Sequence, residues 1–274
     1  MKWQLTVTCV ILKLAGLTMV FAADWVLLGW ATFFAGGLLV TAHMLVPQWQ
    51  GLCDVDSAFE PDSKSVWLTI DDGPDPEDTP QLLKLLARHD ARATFFLVGE
   101  RAAAHPELVE QIRAAGHEIA CHTHTHPRFS FWAMGPRRLA AEIDRALPHL
   151  QSEPGEVLFF RPPVGIKNLW LGRILRARNL RCVAWTVRSG DGVGTSAQAV
   201  IARVRREVRP GAIILMHEGP SMASGVRVHA MDGVLSALSD EGYTCILPTA
   251  DQLRTMPVKF SLPPQTSTKE LLCN

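Results

Sequence analysis

The sequence predicts an α/β protein: a parallel sheet covered by helices, preceded by one or two transmembrane helices. Three observations lead there. From Ser65 onward, short β-rich runs alternate with helical runs, the pattern of a parallel sheet. Five short motifs each fall at or just after a strand-like run, where α/β barrels collect their active sites. The hydrophobic excess, 47% overall, is concentrated before Pro47.

The first 46 residues read as a membrane anchor. Residues 5–23 are apolar apart from three threonines and Lys13, and residues 25–46 form a second apolar run without a charge. About 20 apolar residues suffice to cross a bilayer. The second run has no polar face, unlike a surface helix. The first carries Lys13 near its middle, where a charge is costly. Three arrangements fit: a tight hairpin turning at Ala22-Ala23-Asp24, a signal peptide cleaved near Ala22 or Ala23, or a single span by the second run. The hairpin is the preferred reading. It returns the chain to the side where Met1 began, and Lys2 favours the cytoplasm for that end. A single span would put the following domain outside, so the side stays open. A bacterial-type inner membrane is the expected location.

Residues 47–64 are polar, with Gly51, Pro61 and several acids, and read as a linker. A catalytic domain is expected over 65–256 and a peripheral tail over 257–274. Strands are predicted at 65–70, 93–98, 118–121, 157–160, 181–185, 212–216 and 244–247, and helices at 79–89, 106–115, 137–150, 169–178, 196–208, 228–241 and 249–254. Leu82, Leu83, Leu85 and Leu86 give the first helix its apolar side. Pro106 suits the first turn of the second, and Gly116 ends it. About seven β-α pairs allow either a barrel or an open sheet.

Formal net charge is zero, so no nucleic-acid partner is expected from bulk electrostatics. Six scattered cysteines, with no CxxC pair, point to buried thiols without structural disulfides.

The motifs carry the chemistry. His122 and His126 are spaced H-x3-H, and Asp72 adds a carboxylate. Two imidazoles and one carboxylate suit a catalytic zinc with open positions. Asp71 precedes Asp72. Adjacent strand residues point to opposite faces, so both reach one centre only if the strand ends or bends there. Gly73-Pro74 is the expected turn. His217 closes the apolar run 212–216, a position as compatible with a structural histidine as with a proton donor. His124 lies between the two ligands and is expected beside them or in solvent. Thr123 is expected to hydrogen-bond the motif loop.

Taken in order, Thr69-Ile70-Asp71-Asp72-Gly73-Pro74, His122 to Pro127, Arg161-Pro162-Pro163-Val164-Gly165, Trp185 to Asp191, and Leu215-Met216-His217 resemble the polysaccharide deacetylase family. This is the NodB homology domain of carbohydrate esterase family 4, and the resemblance covers roughly residues 66–253. It implies a distorted (β/α) barrel. It implies Asp72, His122 and His126 as ligands of a divalent metal ion, Zn2+ first, with Co2+, Ni2+ or Mn2+ as alternatives. Asp71 would be the base that draws a proton from water, and His217 the acid that protonates the leaving amine. The Val164 N–H would face the oxyanion, Arg161 would orient the base, and Asp191 would pair with that arginine. Four positions depart from the family's pattern: Val164 stands where tyrosine is common, Thr186 and Arg188 replace acids, and Gly192 replaces a tryptophan.

The expected function is a metal-dependent hydrolase that removes an N-acyl group, acetyl before formyl, from an amino sugar. The substrate is a polysaccharide, an oligosaccharide or a lipid-linked glycan. Rivals are an O-acetyl esterase and a non-catalytic glycan-binding membrane protein on the same scaffold.

Overall fold

The computed structural model describes residues 2–22, 25–193, 195–219 and 224–255. The tail expected over 257–274 and the hairpin turn at Ala23-Asp24 lie outside them. The strands are β1 (Val55–Asp56), β2 (Ala58–Phe59), β3 (Ser65–Asp71), β4 (Ala93–Leu97), β5 (Glu118–Cys121), β6 (Phe159–Phe160), β7 (Arg181–Val183), β8 (Val187–Arg188), β9 (Ile213–His217), β10 (Thr244–Cys245) and β11 (Leu253–Arg254). Nine of them form one parallel sheet in the order β1-β7-β6-β5-β4-β3-β9-β8, with β10 against the start of β3. The sheet curls into a half-barrel. Thr186 spans the remaining gap: its hydroxyl donates to the Ser57 carbonyl at 2.7 Å and its amide to the Ile213 carbonyl at 2.9 Å.

Strand alternation splits the core in two. Val66, Leu68 and Ile70 of β3, with Phe95, Cys121, Phe160, Ile214 and Met216, pack outward beneath the helices. Trp67, Phe96, Ala120, Phe159, Val183 and Ile213 fill the concave side. Leu82, Leu85 and Leu86 of helix Thr79–Arg88 are buried on the outer face. Each such side chain contributes roughly 1.5–3 kcal/mol.

Register then aligns the strand ends. Asp71 pairs with His217 across β3 and β9, Leu97 with Cys121 across β4 and β5, and Cys121 with Phe160 across β5 and β6. The residues that follow, His122 and Arg161, therefore emerge beside Asp71 and His217.

Several expectations change. Residues 47–64, read as a linker, are packed: Leu52, Cys53, Val55, Ala58 and Phe59 are buried, and β1 pairs with β7. The helix predicted over 249–254 is instead β11, antiparallel to β2, because Leu253 joins the inner core beside Phe59. The helix predicted over 137–150 is two, Pro136–Asp144 and Leu147–Leu150. Pro148 has no N–H to continue the first one. A short helix, Gly99–Ala104, and β8 were not anticipated. All five described cysteines are buried and unbridged, as expected, and Cys273 lies outside the described residues.

Before the sheet stand two apolar helices, α1 (Trp3–Ala22) and α2 (Val26–Leu45), each long enough to span a bilayer. They pack on small residues. A Cβ on Gly16 would meet the Gly29 carbonyl at 2.6 Å, and one on Gly36 would meet Cys9 Cα at 3.4 Å. Close backbone approach over glycine is the membrane-helix packing mode. Lys13 lies over the ring of Phe33 on α2, 5.8 Å from its centre.

Candidate active site

Asp71 faces the concave side because Trp67 and Thr69 do, two residues apart along β3. Asp72 would face away if the strand continued. Its φ of +75° ends the strand and turns its carboxylate back toward the same cleft. Among the described residues six non-glycine positions have positive φ, and four of them, Asp72, Thr123, His126 and Val164, belong to the motifs. Such backbone costs on the order of 1–3 kcal/mol each and concentrates at functional sites. The bend expected at Gly73-Pro74 therefore begins one residue earlier. Gly73 serves another need, since a Cβ there would collide with Glu218.

Asp72, His122 and His126 present ligand atoms all within 4.8 Å of one another. Asp72 Oδ1 lies 3.4 Å from His122 Nε2 and 3.2 Å from His126 Nε2. His122 Nδ1 is 2.8 Å from the Arg161 carbonyl, which reserves Nε2 for the cleft. Asp72 Oδ1 is buried and has no hydrogen-bond donor. An orphaned carboxylate oxygen between two imidazoles fits a divalent cation, with Nδ1 held by a carbonyl in the manner of metal-bound histidine. Burial works to raise the Asp72 pKa, but the adjacent imidazole of His122, then those of His126 and His217, pull it well below the usual carboxylate range. Burial, then the charge of His122, lowers His126 to about 4. An ionised carboxylate and a neutral imidazole are the forms that bind metal.

Arg161 is fully buried. Its guanidinium donates to Asp71 Oδ1 at 2.6 Å, Thr69 Oγ1 at 2.9 Å, and the carbonyls of Val183 and Ala184 at 3.1 Å each. Phe96 stacks on it at 4.1 Å. Asp71 Oδ2 is left facing His122 Nε2 at 3.8 Å.

Asp191 does not pair with Arg161, contrary to the sequence expectation. Its Oδ1 accepts from His217 Nδ1 at 2.7 Å and from the Ser189 hydroxyl at 2.7 Å, and its Oδ2 accepts the His217 amide at 2.8 Å. The short strand β8 makes this pairing: it lies beside β9 and carries the chain past His217, whereas Arg161 stands beyond β3 on the other side. Burial opposes the charge on His217, but Asp191, by charge and hydrogen bond, then Asp71 and Asp72, raise its pKa to about 9.

Asp71, Asp72, His122, His126, Val164 and His217 line one cleft of about 230 Å³. Gly165, Trp185, Arg128, Arg188, Gly192 and Leu215 complete its wall. Val164 holds φ +50°, an outlier for a β-branched residue, which fixes how its backbone meets the cleft. Thr186, by contrast, stays out of the cleft and closes the sheet.

Thr123 behaves as expected, its hydroxyl accepting the His126 amide at 3.1 Å. His124 does not sit beside the ligands or in solvent. It is buried, close against Gly99, where a Cβ would meet its Nδ1 at 2.6 Å, with its ring 6.1 Å from that of His149. Sequence reasoning missed Glu142, whose carboxylate accepts from the His124 amide at 3.2 Å and the Thr125 amide at 2.9 Å, shaping the loop between the histidines. The signal was present: Glu142 falls between Leu139 and Ile143 on the buried stripe of its helix.

A family profile for polysaccharide deacetylase matches residues 59–183. A chitooligosaccharide deacetylase of Sinorhizobium fredii is 38% identical over 183 residues, covering 64% of this chain and 82% of that protein. A solved peptidoglycan N-acetylglucosamine deacetylase, bound to a naphthalenyl N-hydroxybenzamide, superposes with a TM-score of 0.66 at 31% identity, covering 71% of this chain and 90% of that one. A carbohydrate esterase family 4 pseudoenzyme from Bacillus anthracis superposes at 0.62 with 26% identity, over 70% of this chain and 66% of that one. On this sequence match and this shared half-barrel, the chain belongs to the polysaccharide deacetylase family.

Proposed function

We propose that this chain is a metal-dependent amide hydrolase that removes an acetyl group from an N-acetylated amino sugar of a glycan, working at a membrane. One observation carries the reading: a carboxylate, a three-residue ligand set and an imidazolium converge on a single cleft, with the carboxylate and the imidazolium each held by a buried partner of opposite charge. Because a pseudoenzyme shares the fold, the fold alone does not argue for turnover. The relatives' names support amino-sugar amides as substrates.

Asp72, His122 and His126 would hold the metal, Zn2+ by the nature of the donors. A divalent cation there supplies Lewis acidity, which makes water easier to deprotonate and polarises the acyl oxygen. Asp71 Oδ2 takes the proton from water, while Arg161 fixes Oδ1 and so sets the direction of the free oxygen. The Val164 N–H would meet the developing oxyanion, Val164 being part of the cleft wall. His217, charged at neutral pH, gives its Nε2 proton to the departing nitrogen, which as a bare amide anion would not leave. Asp191 holds the opposite ring nitrogen and thereby selects Nε2 as the donor. The two apolar helices support a membrane location.

The test is turnover of N-acetylglucosamine oligomers by the full chain with added zinc, assaying acetate and free amine together. Acetate without new amine would indicate the ester reading. Asp71→Asn should retain bound metal and lose about 10²–10⁴-fold in kcat. Near-normal rates in that variant would remove Asp71 from its assigned role.

A further inference from the structure

The cleft wall is tied to the membrane helices. Lys167 is buried two residues beyond Gly165, and its ammonium donates to the carbonyls of Val46, Pro47 and Trp49 at 2.5, 2.9 and 2.8 Å. Its backbone N–H bonds the Met44 carbonyl in the last turn of α2 at 2.9 Å. A Cβ on Gly165 would strike Pro47 and Trp185. Asn168 then donates to the carbonyls of Phe131, Trp132 and Met134, between 2.8 and 3.2 Å. Residues 128–134 and 163–170 are thus held together, at the level where α2 ends.

The side chains these loops expose are not those of a water-facing surface. Phe129 is 82% exposed and Trp132 54%, and Val164, Leu169 and Trp170 are exposed as well. Trp132 Nε1 donates to the Phe129 carbonyl at 3.1 Å, holding the two rings in one turn. Beyond the N-terminal residues 2–45 the described residues expose only Leu158 and Val226 besides these five among the large apolar residues. Aromatic residues gathered where a spanning helix leaves the bilayer form an interfacial belt. Arg128 and Arg188 line the cleft beside this apolar rim. Guanidinium groups at that position match a phosphate.

We infer that Phe129, Trp132, Leu169 and Trp170 form a collar seated in the bilayer surface, continuous with the end of α2. The cleft then takes an amino sugar carried on the phosphate of a long-chain lipid in the same membrane. The hydrolysis itself rests on the deacetylase reading above; the seating rests on the loops alone. Confinement to the bilayer raises the effective concentration of such a substrate without any new contact to the sugar.

The experiment uses the full chain in vesicles of phosphatidylethanolamine and phosphatidylglycerol. Three substrates are compared: N-acetylglucosaminyl phosphate on a long polyprenyl chain, the same headgroup on a short water-soluble alkyl chain, and a soluble N-acetylglucosamine oligomer. The long-chain substrate is expected to be turned over at least about ten-fold more efficiently than the short one. The double variant Phe129→Ser, Trp132→Ser should lose that preference and keep its rate on the short-chain substrate. Equal efficiency on both chains in the parent, or an undiminished preference in the variant, overturns the proposal. So does hydrolysis confined to the soluble oligomer, which would leave the deacetylase reading standing. If no amide is cleaved at all, that reading fails, and seating is decided separately by quenching of tryptophan fluorescence with acyl-brominated lipids. Trp132→Phe and Trp170→Phe should each reduce the quenched fraction; no change in either overturns the collar.

Discussion

The two sides of the cleft are built on one plan with the charges reversed. On the base side a buried cation, Arg161, orients a carboxylate, Asp71. On the acid side a buried anion, Asp191, orients an imidazole, His217. In each pair the orienting group is completely buried and the oriented group touches the cleft. Each orienting group is further fixed by neighbours from nearby strand ends: Thr69, Val183 and Ala184 for Arg161, Ser189 for Asp191. A carboxylate held by a cation and an imidazole held by an anion give one cleft both a base and an acid. The roles follow from the partner's sign and not from the reacting side chain alone.

Removing Arg161 breaks this symmetry most severely. Arg161→Met leaves Asp71 buried beside its vacated partner and takes a donor from the carbonyls of Val183 and Ala184. Removal of one member of a buried ion pair costs about 3–5 kcal/mol. Thermal unfolding should therefore fall by roughly 10 °C, with turnover lost. An unchanged melting temperature would mean that Arg161 adds nothing to the frame.

Asp191→Asn tests the other side and should spare more of the stability. Without the anion, the main influence raising the His217 pKa is gone and burial draws it down from about 9. In the parent, His217 is protonated below that value, so the rate should fall only as pH rises past about 9. In the variant the alkaline limb moves to lower pH, and the loss of kcat is largest on the alkaline side. The stability linked to His217 is fully present below its unfolded value of 6.5 and disappears as pH rises through about 9; the variant should show a flatter profile there. An alkaline limb that stays in place would separate His217 from the acid role.

A third carboxyl sharpens the contrast because no ion pair among the described residues holds it. Glu218 follows His217, is completely buried, and accepts from the Thr79 hydroxyl through Oε2 at 2.5 Å, while Oε1 has no partner. Burial pushes its pKa up to about 8. The folded form thus holds a proton that the unfolded chain releases above about 4.5, so this group lowers stability as pH climbs from there to about 8. Glu218→Gln should change little below about pH 4.5 and remove the downward slope above it. Urea unfolding at a series of pH values reads it directly, and a slope that survives the substitution would assign it to another group.

By itself the sequence determined the alternating pattern, the two apolar spans, and which motifs end which strands. Hydrophobic period and strand-end polar residues are local signals, and they placed Asp71, Asp72, His122, His126, Arg161 and His217 at one end of one sheet. It also carried Glu142 as a polar residue on an apolar stripe, though its partner was not readable. Only the tertiary structure decided who faces whom. Asp191 lies 30 residues from Arg161 and 26 from His217 along the chain, so sequence distance could not choose between them. The register of β8 against β9 did. The same holds for residues 47–64, whose polar composition hides strand pairs supplied by β7 and β11, and for Lys167, whose three acceptors lie about 120 residues earlier in the chain. Periodicity reports burial of a face. Pairing across a curled sheet depends on register and on backbone turns such as those at Asp72 and Val164, which are set by contacts distant in sequence.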